Sequence, residues 1–442
     1  MVTLKSFLGM IAAVPFIMAC NQTGQVNATL FPASGSENVN PDTHLVLTFS
    51  ETPVLGDSGM IRVYDAVTDQ VVDSLDLSIP SGPTESRTYG PECDYTKVPY
   101  DYTRTVVPTN KDTRPGTPSG TAEPTPPVYQ LTIIGGFTDA FHFYPVIVRD
   151  SIATIYLHNN MLEYGHTYYV TIDNGVLNLA DGSFQGVTKE DEWTFTTKSD
   201  MPELSDTLIV DATGKGDFNT VQGALDFIPD FNEQQTVILV NPGDYEELVY
   251  TRNKWNVKIK GAGMTDTKVH YANNEVFNPH PLTVKTNEWP GTFPSRRAAF
   301  MLDNCKDIVI EDMTIATDLK GQAEGLLING ERIALYRVHI IGSGDALQAN
   351  GTIYMESCEL DGGGDTILGR GSLFAYKSNF RNGGGPFSWV RNTAGNHGNV
   401  FVECTFSTED GKQADYGRTK SNHGSAYPDA EFVLIDCKVK NI

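Results

Sequence analysis

Two aspartates occur in closely similar settings twenty positions apart, at 345 and 365. The segments are Gly344–Leu347 (GDAL) and Gly364–Ile367 (GDTI), so each carboxylate follows a glycine and precedes two uncharged residues. Two carboxylates held close together cannot both ionise readily, because like charge raises one of their pKa values. Such a pair can supply one acid and one nucleophile or base near neutral pH. Spacing alone also allows a ladder of turn-capping aspartates, and it does not choose between the two.

The elements that would position these aspartates repeat along the C-terminal half of the chain. Strand-like segments place their second residues at 313, 338, 358, 378, 404 and 437, with gaps of 25, 20, 20, 26 and 33. These periods are typical of the coils of a right-handed parallel β-helix, with loops in the longer gaps. Asp345 lies seven residues after Val338, and Asp365 lies seven residues after Cys358. We therefore predict that the two aspartates lie on successive coils, about 4.8 Å apart.

The predicted repeat also assigns most of the cysteines. The inward-facing positions are Met313, Val338, Cys358, Cys404 and Cys437. Because a free thiol packs as a small hydrophobic group, we predict that these cysteines and Cys305 are unpaired core residues rather than disulfides. No C-x-x-C pair indicates a zinc or redox site, so no metal is predicted, and Cys93 receives no role.

Length and charge limit the classes of function. With 442 residues the chain exceeds one ordinary compact domain, which predicts two domains or one domain with a solenoid. Its 32 basic and 55 acidic side chains give a net charge of −23. Phosphate binding needs basic patches, so this balance argues against a nucleic-acid partner.

The N-terminus has the features of an export signal. Lys5 precedes an apolar run over residues 7–19 that is too short for a comfortable membrane span. The run ends Ile17-Met18-Ala19-Cys20, which resembles a bacterial lipobox. We predict a lipoprotein signal peptide over 1–20, lipidation of Cys20, and an exported lipoprotein of the outer membrane, on its periplasmic or outer face. A plain secretory signal is the alternative.

Two further regions follow the signal peptide. Residues 28–198 contain short β-rich runs between turn residues and resemble bacterial Ig-like domains, which predicts a β-sandwich. A Pro- and Thr-rich insertion over about 81–127 interrupts this domain. The predicted strands of residues 28–198 are Leu45–Phe49, Met60–Tyr64, Thr167–Ile172 and Trp193–Thr197.

The second region begins with a predicted helix. Residues 217–228 (DFNTVQGALDFI) have the apolar spacing of one amphipathic helix, and only short strands and turns come after it.

Seven segments between 207 and 442 together carry a family resemblance. In chain order they are VDATGKGDFNTVQGALDFIP from 210 to 229, PGDYEE (242–247), KGAG (260–263), GQAEGL (321–326), the two aspartate segments (344–347 and 364–369), and YGR (416–418). With these motifs in the correct order, which is far more specific than any one match, residues 207–442 resemble the pectin methylesterases, a family of right-handed parallel β-helix enzymes that use no metal cofactor.

The resemblance implies a mechanism for four residues. Asp365 would be the ionised nucleophile that attacks the methyl ester carbonyl of a galacturonate unit. Asp345, kept protonated, would donate to the departing methanol and then act as base on water. Gln322 would donate an amide N–H to the developing oxyanion. Arg418 would hold Asp365 charged and oriented, lowering its pKa.

The chain also departs from the family pattern. Gly344 stands where the family commonly has a second oxyanion glutamine, and Thr419-Lys420 replaces a Pro-Trp pair. Trp389 could supply a substitute stacking face for the sugar, and Arg391 could contact a galacturonate carboxylate. The final residues, DCKVKNI, fall inside an expected strand, so we expect a sequence truncated within the solenoid.

The resemblance predicts pectin as the partner and a monomer without cofactor. Two alternatives remain open. Arg418-Thr419-Lys420 and Asn396-His397-Gly398 superficially resemble motifs of polygalacturonase-like hydrolases, although no adjacent pair of aspartates accompanies them. The other alternative is a non-catalytic surface module that binds polysaccharide on the same scaffold.

Overall fold

The computed structural model describes residues 26–82, 129–137, 141–278, 296–392, 394–418, 421–422 and 425–440. The predicted signal peptide with Cys20, Cys93 and nearly all of the predicted insertion lie outside the described residues. No helix in the described ranges has the length and apolar character needed to cross a bilayer.

The N-terminal region forms thirteen described strands, nine of them arranged in two main sheets. One sheet has the order β1-β3-β10-β9 and the other the order β2-β13-β11-β5-β6. The strands are β1 Thr29–Phe31, β2 Ser36–Val39, β3 Leu45–Thr48, β4 Val54–Leu55, β5 Met60–Asp65, β6 Gln70–Asp76, β7 Leu131–Thr132, β8 Phe141–His142, β9 Val146–Arg149, β10 Ile152–Ile155, β11 Thr167–Ile172, β12 Leu177–Asn178 and β13 Thr194–Thr197.

A shared apolar core lies between these two sheets. Alternate residues of β5 are buried, as expected for a strand with one face toward a core. Leu47, Val63, Tyr168 and Trp193 belong to one buried cluster. The region is thus a β-sandwich, and its relationship to Ig-like domains stays a prediction.

The second region begins with one strand and one helix and continues as a single parallel sheet of twenty strands. Its elements are β14 Thr207–Val210, α1 Val221–Phe227, β15 Thr236–Val240, β16 Gly243–Glu246, β17 Val249–Arg252, β18 Trp255–Lys260, β19 Thr267–Tyr271, β20 Phe300–Thr317, β21 Leu326–Glu331, β22 Ile333–Ile341, β23 Leu347–Ala349, β24 Thr352–Glu356, β25 Glu359–Gly362, β26 Ile367–Gly369, β27 Ser372–Tyr376, β28 Asn379–Asn382, β29 Ser388–Val390, β30 Asn399–Val402, β31 Thr405–Thr408, β34 Phe432–Ile435 and β35 Lys438–Lys440, with the separate hairpin β32 Ser421–Asn422 and β33 Ser425–Ala426.

This sheet is a parallel β-helix, as predicted. Strand β24 pairs with β27, β25 with β28 and β26 with β29, so three strands in each coil stack on the corresponding strands of the next coil. The predicted repeat register is also confirmed: Met313 pairs with Val338, and Leu360 pairs with Phe380. The residue before each repeat position has a left-handed backbone. These residues are Asp312, Arg337, Ser357, Lys377, Glu403 and Asp436, with φ between 48° and 59°.

The interior cysteines are free, as predicted. Cys305, Cys358 and Cys404 are buried in the core of the coils. Burial raises the pKa of the Cys358 thiol to about 12, so it packs as a neutral side chain. Cys437, on the last described coil, is only half-buried.

Helix α1 is shorter than the predicted 217–228 segment, because the residues before it pair with β14. Phe218 bridges to Val210, and Thr220 caps the helix by accepting from the backbone N–H of Gly223 at 2.9 Å. Val221 and Leu225 of the helix are buried with the first coils, so α1 closes this end of the core.

The sandwich supplies part of the cap of α1. The Asp42 carboxylate accepts from the backbone N–H groups of Asn219 (2.9 Å) and Thr220 (2.8 Å). Glu247 of the first coils accepts from the next two backbone N–H groups, at 2.8 and 2.9 Å. Burial raises the pKa of Glu247 to about 7. A second contact between the regions is an apolar cluster in which Phe137 and Phe141 meet Tyr250 and Tyr271.

Candidate active site

The two aspartates lie on successive coils, as predicted. Strand β23 pairs with β26 so that Leu347 lies beside Ile367, and Asp345 and Asp365 each stand two residues before these positions. The backbone N–H of Leu347 donates to the carbonyl of Thr366 at 3.0 Å, so the register continues toward the aspartates. Both carboxylates are therefore neighbours in one column, and both are buried, with 7% and 2% of the residue surface exposed.

Glycines let the coils approach each other beside this column. A Cβ added at Gly364 would lie 2.6 Å from the carbonyl oxygen of Gly344. A Cβ added at Gly344 would lie 2.6 Å from the carbonyl oxygen of Gly321 and 3.2 Å from the Cα of Gln322. Both glycines are thus required by close backbone contact. The space next to Asp345 that a glutamine side chain would need is filled by the preceding coil.

Asp365 is held by Arg418, as predicted. The Arg418 Nε donates to Asp365 Oδ1 at 2.7 Å, and the arginine side chain is 39% exposed. Burial nevertheless raises the pKa of Asp365 above its usual value, although the bond to Arg418 works in the opposite direction. The expected lowering effect of Arg418 is present, but the desolvation of this buried carboxylate outweighs it even with the help of Arg391 and Arg297.

Asp345 has a stronger preference for its protonated form. Burial is the main cause that raises its pKa to about 7, and the charges of Glu324 and Asp365 act in the same direction. Arg297 and Arg418 partly offset this effect. A carboxyl group in this state can hold a proton near neutral pH and release it to a reacting group.

The predicted substrate-binding residues lie next to Arg418. The guanidinium carbon of Arg391 lies 4.4 Å from the centre of the Trp389 ring, and that of Arg418 lies 4.9 Å from it. The positive charge of Arg391 also lowers the pKa of Asp365. Trp389 therefore packs against the side chain that orients Asp365, besides any contact with sugar.

Arg297 is a site residue that the sequence reasoning missed. Its guanidinium donates to both carboxylate oxygens of Glu324, to Gln322 Oε1 and to Asp345 Oδ2, the last at 3.1 Å. Arg297 thus connects the predicted oxyanion donor with the predicted acid. Glu324 could have pointed to Arg297. It is a carboxylate within an otherwise uncharged, buried segment, and a buried carboxylate requires a cation beside it.

One group among the described residues has the spacing of metal ligands. Glu246, His270 and Asp318 bring their ligand atoms within 4.8 Å of one another. Arg149 donates to Glu246 and lies 3.6 Å from Asp318, so a protein cation already neutralises this acidic group. It does not include any residue of the aspartate column.

Comparisons with known proteins give a consistent family. Residues 207–383 match the family model described as Pectinesterase, a range that includes Gln322, Asp345 and Asp365 but not Trp389, Arg391 or Arg418. The pectinesterase QRT1 of Arabidopsis thaliana is 31% identical over 172 residues, which are 37% of this chain and 43% of that protein. Pectinesterase 31 of the same plant is 29% identical over 165 residues, covering 36% of this chain and 51% of that protein.

The chain spans about half the length of these curated relatives. A solved pectin methylesterase structure from Erwinia chrysanthemi is 17% identical, with a TM-score of 0.43, and the match covers 54% of this chain and 80% of that one. Residues 207–383, within the β-helix region, are thus similar in sequence to the pectinesterase family.

Proposed function

We propose that this protein hydrolyses the methyl esters of galacturonate units in pectin, giving pectate and methanol. The observation that carries the proposal is the unequal pair of buried aspartates on successive coils. Burial raises the pKa of both groups, to about 7 for Asp345, but Asp365 also accepts a hydrogen bond from Arg418 at 2.7 Å that favours its ionised form. The two carboxyl groups are thus suited to different protonation states at one pH.

In the first half of the reaction, a carboxylate oxygen of Asp365 attacks the ester carbonyl carbon. The carbonyl oxygen becomes an oxyanion that accepts an N–H from the amide of Gln322. When the intermediate collapses, the bond to the methoxy group breaks and Asp345 gives that oxygen its proton. Methanol leaves, and the galacturonate acyl group stays on Asp365 as an anhydride.

In the second half, Asp345 is ionised and takes a proton from water as that water attacks the anhydride carbonyl. The bond to Asp365 breaks, which restores its carboxylate, and Asp345 regains its proton. The product carboxylic acid ionises in solution. Both aspartates return to their starting states without a metal or an organic cofactor taking part.

Trp389 and Arg391 are proposed to contact the polysaccharide, the indole through stacking and the guanidinium through a galacturonate carboxylate. Because the indole also packs against Arg418, Trp389→Ala should raise KM for polymer and lower kcat as well. An unchanged KM and kcat on polymer would remove Trp389 from the site.

The surroundings of the enzyme are part of the proposal. An exported lipoprotein, anchored through Cys20 and monomeric, would meet pectin outside the cytoplasm. Lipid labelling of the expressed full-length chain tests the anchor: Cys20→Ala should abolish the label, and retained label would contradict the assignment. Sedimentation of the detergent-solubilised protein tests the monomer.

The activity test is incubation of the protein with highly methylated pectin in the presence of EDTA. Methanol release without chain cleavage supports the proposal, whereas reducing or unsaturated ends without methanol would indicate a hydrolase or a lyase. Retained polymer binding with neither product would indicate a binding module. Asp365→Asn should abolish methanol release while circular dichroism stays that of the parent protein.

A further inference from the structure

The surroundings of Arg297 carry an inference beyond the proposed pair of aspartates. Its side chain is only 11% exposed, yet it keeps its charge, because the Glu324 and Asp345 carboxylates raise its pKa and overcome the cost of burial. Glu324 is fully buried and accepts from Arg297 Nε at 2.8 Å and from Nη2 at 2.6 Å. A buried carboxylate without such a partner would cost several kcal/mol, so the two side chains depend on each other.

The main chain places this pair beside the catalytic column. Strand β21 pairs with β23 so that Leu326 lies beside Leu347, which makes Glu324 the neighbour of Asp345 on the preceding coil. The backbone N–H of Ala299, two residues after Arg297, donates to the carbonyl of Glu324 at 3.0 Å. The arginine therefore reaches the column from a segment fixed to it by backbone bonds.

Arg297 determines which atoms of its two other partners face it. A guanidinium has only donors, so the amide atom of Gln322 beside it must be the oxygen Oε1. The amide nitrogen of Gln322 is then directed away from Arg297, and its N–H groups remain for another acceptor. A rotation of this amide by 180° would place N–H against N–H and is disfavoured.

The same reasoning applies to Asp345. Its Oδ2 accepts from Arg297 Nη2 at 3.1 Å and cannot carry a proton toward that donor. The carbonyl-type oxygen is the better acceptor for the guanidinium, so this contact favours the proton of Asp345 on Oδ1. This oxygen is on the side of the next coil, because a Cβ placed on Gly364 would lie 3.7 Å from it. Gly364 directly precedes Asp365, so Oδ1 of Asp345 faces the coil that carries Asp365.

We propose that Arg297, held by Glu324, is a positioning residue that keeps the acidic proton of Asp345 on Oδ1 and the amide N–H groups of Gln322 directed into the cleft. This proposal rests on the proposed esterase activity. It also explains how one amide could serve the oxyanion where Gly344 leaves no room for a second: that amide is fixed in its donating orientation before substrate binds.

The kinetic test uses the double variant Arg297→Gln/Glu324→Gln, which removes both charges and avoids an unpaired buried carboxylate. We expect kcat for methanol release to fall at least tenfold while KM stays within twofold, because the binding residues are untouched. The matched control is Arg252→Gln/Asp303→Asn, which removes another arginine–carboxylate pair of the coils, at 2.6 Å, and should leave kcat unchanged. A double variant with parental kcat would overturn the proposal and leave the esterase activity standing.

A second measurement does not depend on activity. The charged groups with the largest effect on the Asp345 pKa are Arg297, Glu324, Asp365 and Arg418. The carboxyl titration of Asp345, followed by isotope-edited infrared spectroscopy and assigned with Asp345→Asn, should move to higher pH in Arg297→Gln and to lower pH in Glu324→Gln. If Arg297 and Glu324 only stabilised the fold, the Asp345 titration would move in the same direction in both variants or in neither. That result would overturn the proposal. Opposite shifts in a protein that releases no methanol would support the positioning role while rejecting the esterase.

Discussion

Removal of the Arg418 guanidinium tests whether Asp365 and Asp345 have the different proposed roles of nucleophile and acid. The change Arg418→Gln deletes the charge-assisted bond to Asp365 Oδ1 at 2.7 Å. Hydrogen bonds to charged groups contribute about 1.5–3 kcal/mol. Because the Arg418 side chain is 39% exposed, water screens part of the interaction and the lower figure of about 1.5 kcal/mol applies. At about 1.4 kcal/mol per factor of ten, kcat/KM should fall about tenfold.

The pH dependence gives the sign of the effect. Arg418 lowers the pKa of Asp365, so its removal should raise that pKa further. In the proposed mechanism only the ionised Asp365 carboxylate is a nucleophile, so activity should be lost as pH falls through the Asp365 pKa. The acid limb of the kcat/KM profile should therefore move to higher pH. Arg418→Lys, which keeps the charge but not the Nε donor, should give an intermediate position.

The assay is methanol release from methylated pectin over a range of about pH 4 to 9, with kcat/KM determined at each pH. Arg337→Gln is the control, because Arg337 is an arginine of comparable exposure that pairs with Asp312, with Nε and Oδ1 2.5 Å apart. It should keep kcat/KM within twofold. An Arg418→Gln enzyme with parental activity and an unmoved acid limb would refute the role of Arg418 in orienting Asp365.

Three further predictions concern stability. The pKa of Asp345 is raised to about 7, so its ionisation opposes folding as pH rises. Asp345→Asn should therefore stabilise the protein by up to about 4 kcal/mol above pH 7, and the gain should vanish near pH 4 in urea unfolding. Gly344→Ala should destabilise by about 1–3 kcal/mol through its backbone clash, whereas Gly395→Ala, where nothing lies within 4 Å of the added Cβ, should change the unfolding free energy by less than about 0.5 kcal/mol; equal effects would contradict the glycine contact. Asp42→Ala should lower the unfolding free energy by about 2 kcal/mol by removing the cap of α1, with exposed Asp57→Ala as control, and an unchanged melting temperature would be the opposing result.

The coil repeat was predictable because each coil obeys the same local rule. One turn residue and one inward residue recur at short intervals, so Val338 and Cys358 set the register that places the aspartates. The four β-runs of the sandwich were found for a similar reason, as alternation and turn residues are local signals. The observed strand ends differ from the predicted ends by at most one residue, as in β3 and β13.

The contacts that give each carboxylate its own environment were harder to predict. Arg297 lies 48 positions before Asp345, and Arg418 lies 53 positions after Asp365. No local pattern encodes such pairs; Arg418 was assigned through the family resemblance, and Arg297 had no motif to mark it. The depth of burial is not encoded in a local pattern either, so the sequence predicted the effect of Arg418 on the Asp365 pKa but not the larger opposing effect of desolvation.

The shared cap of α1 has a consequence for how the chain folds. Synthesis delivers the sandwich first, with Asp42 already in place when residues 219–220 emerge. A seven-residue helix is too short to be stable alone, so it forms most readily where acceptors for its first N–H groups are already in position. Each later coil then needs only the coil before it as a template. The N-terminal domain thus gives solenoid assembly a starting point and a direction, and the aspartate column is completed only after several coils have been laid down.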